Sequence, residues 1–185
     1  EGWHILRPEG PTRRHELFAE YKQTRKPTPE AFRVQMPLII ELCKAMGFPV
    51  FSRDGVEADD YIVSTAKACA ASGWDVKILS ADKDLFQAIG GGISVIRPSR
   101  GVTDFTLYDS VNFREKYGFE PPLMADYLAL LGDAADNIPG VPGIGEKTAL
   151  DLVGKFGRLE EIYENLESVQ KARRGKLEAG REAAS

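Results

Sequence analysis

The sequence has few of the residues that build disulfide or zinc scaffolds, and it has no long apolar segment. Among its 185 residues there are two cysteines and two histidines. Cys43 and Cys69 lie in apolar helical patterns without the spacing of metal ligands, so we expect buried thiols in a reducing compartment, which favours the cytoplasm. The apolar runs are far shorter than the roughly 20 residues of a membrane-spanning helix, which excludes an integral membrane protein of that kind.

The charged residues are unevenly distributed along the chain. Hydrophobic residues make up 43% and charged residues 28%, a composition typical of a globular domain. The net charge is -4, but residues 54–136 contain 14 acidic and 7 basic residues, whereas the remainder contains 14 acidic and 17 basic residues. Because a polyanion responds to the local field, the acidic total does not exclude a nucleic-acid partner. The acidic middle indicates a site that collects carboxylates.

The alternation of apolar patterns predicts an α/β fold with a largely parallel sheet flanked by helices. Strands are expected at 49–52, 76–80 and 93–96, and helices at 28–47, 58–71 and 83–89. The first of these helices is expected to pack one face against the core. After Pro98 the pattern is mostly helical, with helices expected at 110–117, 122–131, 146–156, 159–166 and from 171 onward. We therefore expect an α/β part over residues 1–108 and a helical part over residues 109–185.

Seven acidic residues lie in three groups where a predicted strand or loop leads into a helix: Glu57, Asp59 and Asp60; Asp82 and Asp84; Asp133 and Asp136. Open α/β sheets place their sites beyond the carboxyl ends of the strands, so we expect these groups to converge. Converging carboxylates repel unless cations are bound, and two hard divalent ions such as Mg²⁺ can promote hydrolysis of a phosphodiester. The alternative for each group alone is a set of helix N-caps that needs no metal. His4 and His15 lie outside the groups and are expected at the surface.

A glycine-rich segment follows the third acidic group: Gly140, Val141, Pro142, Gly143, Ile144, Gly145, Glu146, Lys147 and Thr148. Its glycines permit positive φ and close approach of a ligand, and the helix expected from residue 146 directs free N–H groups toward that ligand. The segment is not a P-loop, because no strand leads into Gly140. It resembles a helix-hairpin-helix element, which binds a nucleic-acid backbone without reading bases. The alternative is an ordinary turn between two helices.

Four ordered motifs carry a resemblance to a known family. They occupy residues 55–60, 80–84, 132–141 and 143–149, within a match that runs from residue 10 to residue 184. The chain resembles the 5′→3′ exonuclease domain of bacterial DNA polymerase I, within the flap endonuclease family. The resemblance implies a PIN-like α/β fold with a helical arch and a helix-hairpin-helix subdomain. It also implies two divalent ions, Mg²⁺ or Mn²⁺, and hydrolysis of DNA at 5′ flaps, nicks and RNA primers during replication and repair.

The resemblance further implies roles for individual residues. The metal ligands would be the seven acids named above. Arg14, Lys22 and Arg25, at the base of the arch, would hold the scissile phosphate and guide the 5′ end, which adds positive charge at the transition state. The DNA-binding residues would be Tyr21, Gly140, Val141, Gly143, Ile144, Gly145, Lys147 and Thr148, with a K⁺ ion between the hairpin carbonyls and a phosphate. The family also implies a monomer, a longer polymerase chain and a cytoplasmic location at the nucleoid.

The chain departs from the family pattern near its start. The family's first strand, which carries an aspartate of the metal site, has no counterpart in the sequence, so we expect an N-terminally truncated piece. Leu6 and Arg7 stand where the family has Phe-Asp, and Arg13 replaces a phenylalanine. These differences predict weaker metal binding. Two other interpretations stay open: a non-catalytic DNA-binding module that uses the hairpin, and a PIN-type ribonuclease, which the hairpin disfavours.

Overall fold

The strands in the described part of the chain form two small sheets. In the computed structural model, which describes residues 4–5, 12–52, 54–100 and 103–181, β1 (His4–Ile5) pairs in parallel with β2 (Val50–Phe51). The second sheet has the order β3 (Val76–Leu79), β4 (Ile93–Arg100) and β5 (Asp104–Tyr108). β3 and β4 are parallel, whereas β5 is antiparallel to β4. The expected α/β class with mostly parallel pairing is therefore confirmed for the described strands.

Strand β5 is not predicted by the sequence pattern, although the described chain after Pro98 is mostly helical as expected. β4 continues through Pro98, and an irregularity between Pro98 and Arg100 shifts its register with β5. A proline is tolerated in a strand at such a bulge, where a ladder hydrogen bond is already lost. Phe105 and Leu107 on β5 are 50% and 42% exposed. Because these apolar residues do not form a buried face, their periodicity is a poor signal for a strand.

Helices connect the strands and form most of the second half of the chain. They are α1 (Arg13–Leu17), α2 (Glu30–Arg33), α3 (Met36–Ala45), α4 (Ala58–Ala71), α5 (Ser110–Tyr117), α6 (Met124–Leu131), α7 (Glu146–Phe156), α8 (Leu159–Glu164) and α9 (Lys171–Ala179). Short 3₁₀ helices lie at Asp84–Ala88, Pro121–Leu123 and Leu166–Ser168. α4, α5 and α7 begin and end at the predicted residues. In the described part of the chain, no helix is both long and apolar enough to cross a membrane.

One continuous core joins the α/β part to the helical part. Its most deeply buried side chains include Leu85, Phe86, Val95, Phe113, Met124, Leu130, Leu152, Ile162 and Leu177. The rings of Phe113 and Tyr117 stack at 4.6 Å, and Phe86 contacts Phe113 edge-on at 5.8 Å. Such aromatic clusters bury large apolar areas and stabilise the packing. Because Leu85 and Phe86 are fixed in this core, the adjacent Asp84 is held in place at the surface above it.

Helices α2 and α3 do not pack as the sequence pattern predicts. The single helix expected over residues 28–47 is divided into two, and no residue of α3 is buried. Phe32, Leu42 and Met46 are 50%, 59% and 62% exposed, so the expected contact of this face with the core is wrong for the described chain. Cys43 and Cys69 are free and half-buried rather than fully buried. Leu6 and Arg7, and the side chain of His4, lie outside the described residues.

Candidate functional site

The first acidic group lies where the chain enters α4. Glu57 is the N-cap residue, and Asp59 and Asp60 occupy the first turn. Acidic residues are favoured there by the free N–H groups and the helix dipole. The side chain of Glu57, however, makes no capping hydrogen bond and is directed into the protein, where the residue is 3% exposed. Capping therefore accounts for the position of this acid but not for the direction of its side chain.

The buried carboxylate of Glu57 accepts three hydrogen bonds from the segment before α2. The donors are the hydroxyl of Thr12 at 3.1 Å, the hydroxyl of Tyr21 at 3.1 Å and the Nζ of Lys22 at 2.8 Å. Burial by itself would raise the pKa of Glu57, but the hydrogen bond and positive charge of Lys22 outweigh it and leave the pKa below its usual value. Glu57 is therefore held as a carboxylate.

Asp136, from the third acidic group, faces the same basic segment and is also buried. Its carboxylate forms ion pairs with Arg25 and, at 3.5 Å, with Lys22, and the backbone N–H of Lys22 donates to the Asp136 carbonyl at 3.0 Å. The Nε of Arg25 donates to the carbonyl of Ala135 at 3.1 Å. Lys22 thus bridges two acids that lie 79 positions apart in the sequence and would otherwise repel.

Tyr21 lies between the same two acids. Its hydroxyl is 3.1 Å from oxygens of both Glu57 and Asp136 but has a single proton to donate. Burial and the two carboxylates raise the pKa of Tyr21, so the hydroxyl stays protonated. The sequence predicts Tyr21 as a DNA-binding residue, whereas in this structure the residue is 6% exposed and its hydroxyl contacts acids. Contact with DNA would require this side chain to leave its present position.

Arg14 pairs with the first acidic group at the surface. Its guanidinium donates two hydrogen bonds to Asp60, at 2.6 and 2.8 Å, and lies 3.7 Å from Glu57. The hydrogen bond from Arg14 lowers the pKa of Asp60. We call Glu57, Asp60 and Asp136 the paired acids, because each has a basic partner. All three predicted phosphate-binding cations therefore contact predicted metal-site acids.

The other four acids, Asp59, Asp82, Asp84 and Asp133, have no basic partner among the described residues, and we call them the unpaired acids. Burial and the neighbouring acids raise the pKa of Asp84 to about 6. Burial and Asp82 raise the pKa of Asp59. Asp82 and Asp133 each accept a backbone hydrogen bond, from Asp84 and Ala135. The described ion pairs therefore balance none of these four carboxylates directly.

Two adjoining clefts bring all seven acids together. The larger cleft, of about 690 Å³, is lined by Arg25, Ser80, Ala81, Asp82, Lys83, Asp84, Arg97, Leu128, Leu131, Gly132, Asp133, Ala134, Ala135 and Asp136. The smaller cleft, of about 190 Å³, is lined by Arg14, Tyr21, Glu57, Asp59, Asp60, Val63, Ser64, Asp84, Leu85 and Gln87. Asp84 lines both clefts. The expectation that the three acidic groups meet near the end of β3 agrees with this arrangement.

The side chains in these clefts fit hard divalent cations in their chemistry. All seven acids offer carboxylate oxygens, which such ions prefer. The pKa of Asp84 is raised first by burial and then by the neighbouring acids, and a bound cation would favour its ionised form. Within the described ranges, however, no three His, Cys, Asp or Glu side chains are assembled into a ready-made metal-binding group. The acids therefore surround the site without forming a closed set of ligands.

Some residues of the site carry no obvious signal in the sequence. Thr12 is 3% exposed, and its hydroxyl donates a hydrogen bond to Glu57. His15 accepts a hydrogen bond from the backbone N–H of Thr12, and its ring contacts the Tyr21 ring edge-on at 5.3 Å. Because His15 is half-buried, it is not the surface residue expected. The Thr12–His15 spacing of a capping box is the one local hint. Arg97 lines the larger cleft and donates to the carbonyl of Ala81 at 3.1 Å. The position of Arg97 at the cleft follows from the pairing of β4 with its neighbouring strands, and no spacing in the sequence indicates it.

The glycine hairpin, residues 140–148, is anchored in the core. Val141 and Ile144 are 3% and 5% exposed, and their backbone N–H groups donate to Leu130 and Val141 within the chain. Gly140 has a φ of 59°, and a Cβ there would lie 2.4 Å from the backbone N of Gly132. This glycine is therefore required by packing against the chain that leads to Asp133, and not only by a ligand.

The outer side of the hairpin offers free donors. Gly145 is the N-cap residue of α7, and a Cβ there would meet nothing within 4 Å. Within the described chain, no acceptor is bonded to the backbone N–H groups of Gly145, Glu146 and Lys147. The side chain of Lys147 is exposed and that of Thr148 is half-buried. The geometry is that of an anion-binding helix N-terminus.

Two family models match consecutive parts of the chain. The model described as "5'-3' exonuclease, N-terminal resolvase-like domain" matches residues 5–118. The model described as "5'-3' exonuclease, C-terminal SAM fold" matches residues 119–185. Both parts of the fold therefore match a single family.

Curated relatives agree with these models. DNA polymerase I of Thermus thermophilus is 43% identical over 180 residues, which are 97% of this chain and 21% of the relative. A 5'-3' exonuclease of Aquifex aeolicus is 39% identical over 160 residues, which are 86% of this chain and 54% of the relative. The chain thus spans about a fifth of the polymerase and about half of the exonuclease.

Solved structures show the same fold. A T5 5'-exonuclease with bound divalent metal ions (zinc) is 26% identical with a TM-score of 0.78, over 97% of this chain and 69% of that one. The catalytic core of Rad2 in complex with a DNA substrate is 20% identical with a TM-score of 0.60, over 94% and 55%, and supports the fold alone. These comparisons confirm the resemblance that the four motifs carry: the chain belongs to the 5'-3' exonuclease family.

Proposed function

We propose that the chain is the nuclease part of a divalent-metal-dependent 5′→3′ exonuclease and 5′-flap endonuclease. One observation carries the proposal: seven carboxylates from three distant segments line two clefts that share Asp84, and the three basic residues of the arch base reach the same place. A cleft with both charge signs suits a phosphodiester and the cations that accompany it. Its substrates in this proposal are DNA 5′ flaps, nicked duplex ends and RNA primers in replication and repair.

The acids hold the metal ions in this proposal. The unpaired acids supply ligands directly, because none of their oxygens forms an ion pair among the described residues. The paired acids Glu57, Asp60 and Asp136 complete the set. Two bound ions, Mg²⁺ or Mn²⁺, would supply an activated water and charge stabilisation for an in-line displacement.

The arch-base cations Arg14, Lys22 and Arg25 hold the scissile phosphate. In the structure they pair with carboxylate oxygens, and a phosphate presents oxygens of the same charge to the same donors. The same N–H donors of these three side chains can therefore bind a phosphate in place of a carboxylate. The donors would then stabilise the negative charge that develops on the phosphate.

The hairpin holds the uncleaved duplex. The free N–H groups from Gly145 to Lys147, with the Lys147 ammonium and the Thr148 hydroxyl, bind backbone phosphates, while Gly140, Val141, Gly143 and Ile144 shape the loop. Phosphate contacts carry no base information, so binding should depend little on sequence and strongly on salt.

The two parts of the chain divide this work. Residues 1–108 carry the arch base and five of the acids, and residues 109–185 carry the hairpin and contribute Asp133 and Asp136 to the larger cleft. We propose that the chain acts as a monomer within a longer polymerase polypeptide, in the cytoplasm at the nucleoid.

A cleavage assay on a labelled 5′-flap duplex tests the proposal. We expect Mg²⁺-dependent release of the flap, blocked by a chelator. Asp84→Asn should lower the rate at least about 100-fold, because both clefts lose a shared carboxylate. Duplex binding, measured by fluorescence anisotropy without divalent ions, should persist in this variant.

Asp104→Asn is the matched control, because Asp104 is exposed and lines neither cleft. Equal cleavage by Asp84→Asn and the unsubstituted protein would contradict the assigned site. Duplex binding without cleavage under any divalent metal would favour a non-catalytic DNA-binding module instead.

A further inference from the structure

The glycine hairpin is contacted by a cation from the last helix of the chain. The Nζ of Lys176, on α9, donates a hydrogen bond to the carbonyl oxygen of Gly143 at 2.9 Å. Gly143 has a φ of 79°, and the Cδ, Cε and Nζ atoms of Lys176 would lie 3.1 to 3.2 Å from a Cβ at this position. The end of the lysine side chain therefore lies across the hairpin, and the glycine leaves room for it.

Helix α9 is anchored beside the hairpin. Leu177 is fully buried, and its carbonyl accepts a hydrogen bond from the Tyr163 hydroxyl at 3.3 Å. A Cβ on Gly180 would lie 2.9 Å from the side chains of Val141 and Pro142, so the end of α9 touches the hairpin itself. This packing fixes the backbone of residue 176 relative to the Gly143 carbonyl.

The ammonium of Lys176 has donors to spare. It forms no ion pair with the residues that the structure describes, and only one of its three hydrogens is used by Gly143. The backbone N–H groups of Gly145, Glu146 and Lys147 are free on the same hairpin. Both sets of donors suit an anionic phosphate oxygen.

The Gly143 carbonyl does not fit the K⁺ ion that the family resemblance implies for this hairpin. A potassium ion needs carbonyl oxygens that are free to replace its water shell. The Gly143 carbonyl already accepts from an ammonium, and a second cation beside it would be repelled. We propose that Lys176 is a DNA-binding residue whose ammonium takes the place of K⁺ and contacts the phosphate when this hairpin holds DNA. The proposal rests on the duplex-binding role of the hairpin proposed above.

Thermal unfolding tests the cation itself, without DNA. The melting temperature of the unsubstituted chain should be the same in KCl and NaCl at equal ionic strength. Lys176→Met keeps the stem and removes the charge, so this variant should melt at a higher temperature in KCl than in NaCl, because K⁺ can then reach the Gly143 carbonyl. Lys176→Arg should behave like the unsubstituted chain.

Duplex binding tests the consequence for DNA. The affinity for a blunt duplex, measured by fluorescence anisotropy in a chelator, should fall roughly fivefold in NaCl on Lys176→Met, since one phosphate contact is lost. In KCl part of that loss should be restored. Lys171→Met is the matched control, because Lys171 is exposed on the same helix and makes no ion pair with the described residues.

Two results would overturn the inference. One is a K⁺-specific rise in the melting temperature or duplex affinity of the unsubstituted chain. The other is a Lys176→Met variant that matches Lys171→Met in both salts and both measurements. If the unsubstituted chain binds no duplex at all, the proposed DNA-binding function fails, while the unfolding comparison still decides the role of Lys176.

Discussion

Glu57 and Asp84 line the same small cleft, yet their pKa values shift in opposite directions. The pKa of Glu57 lies below its usual value, because the hydrogen bond and charge of Lys22 outweigh its burial. The pKa of Asp84 is raised to about 6, because it is buried beside other acids and has no basic partner among the described residues. The opposite shifts of these two carboxyl groups therefore follow from the charges that surround them.

This difference separates two tasks within one site. On the paired side, charge is already balanced by side chains of the chain itself, so those contacts contribute to the fold. On the unpaired side, repulsion remains, so a cation gains the most favourable interaction there. The paired acids thus contribute mainly to the stability of the fold, and the unpaired acids are the ones suited to bind a cation. Substitutions in the two groups should therefore change the unfolding free energy in different ways.

The largest difference is expected on the paired side. Glu57→Gln removes the charge that faces Lys22, a cation whose side chain is 8% exposed. Since an uncompensated buried charge is costly, we expect a loss of about 2 kcal/mol in unfolding free energy, moderated by Asp136 at 3.5 Å from the same Nζ. Urea unfolding in the presence of a chelator measures this.

Glu41→Gln is the control for that loss, because Glu41 is exposed on α3 and has no ion pair within the described residues. It should leave the urea midpoint unchanged. A Glu57→Gln protein as stable as this control would mean that the paired acids contribute no more to folding than surface acids do.

The opposite sign is expected on the unpaired side. At pH 7 without metal, Asp84→Asn should stabilise the fold by about 1 kcal/mol, because it removes an ionised group with a raised pKa from beside other acids. The folded pKa of about 6 exceeds the ordinary value of 3.8. The gain is therefore complete above pH 6, falls as the pH drops from 6 to 3.8, and is lost below 3.8, where both states become protonated. Urea midpoints across this range measure it, and a destabilised Asp84→Asn protein would show that Asp84 makes favourable contacts.

The position of the acids was predictable from the sequence, but their pairing was not. Local patterns place Glu57 at the start of α4 and Asp84 just past β3, because caps and strand ends carry short-range signals. The contact of Lys22 with Glu57 spans 35 positions, and that of Arg25 with Asp136 spans 111. Such contacts depend on how the segments pack, which no spacing in the chain encodes.

The elements of the fold also divide into those that local sequence signals predict and those that depend on tertiary packing. Helices α4, α5 and α7 have the predicted bounds because their ends are set by neighbouring residues, as where the Asp109 side chain caps α5 and Gly118 ends it at a φ of 77°. Strand β5 and the exposed face of α3 differ from expectation, because Pro98 is tolerated at a bulge and Leu42 finds no partner in the described core. Both outcomes are tertiary effects.

The smallest effect is expected at the exposed pair of Arg14 and Asp60, whose side chains are 42% and 48% exposed. A double-mutant cycle with Arg14→Met and Asp60→Asn should give a coupling of about 0.5 kcal/mol or less, because water screens exposed pairs even when two hydrogen bonds form. A coupling of about 2 kcal/mol, the size expected above for the buried contact of Lys22 with Glu57, would mean that the exposed pair stabilises the fold as much as the buried one does. A small one would mean that Arg14 can exchange Asp60 for a phosphate at little cost to folding, whereas the same exchange by Lys22 requires the bound divalent ions to balance the buried charge of Glu57.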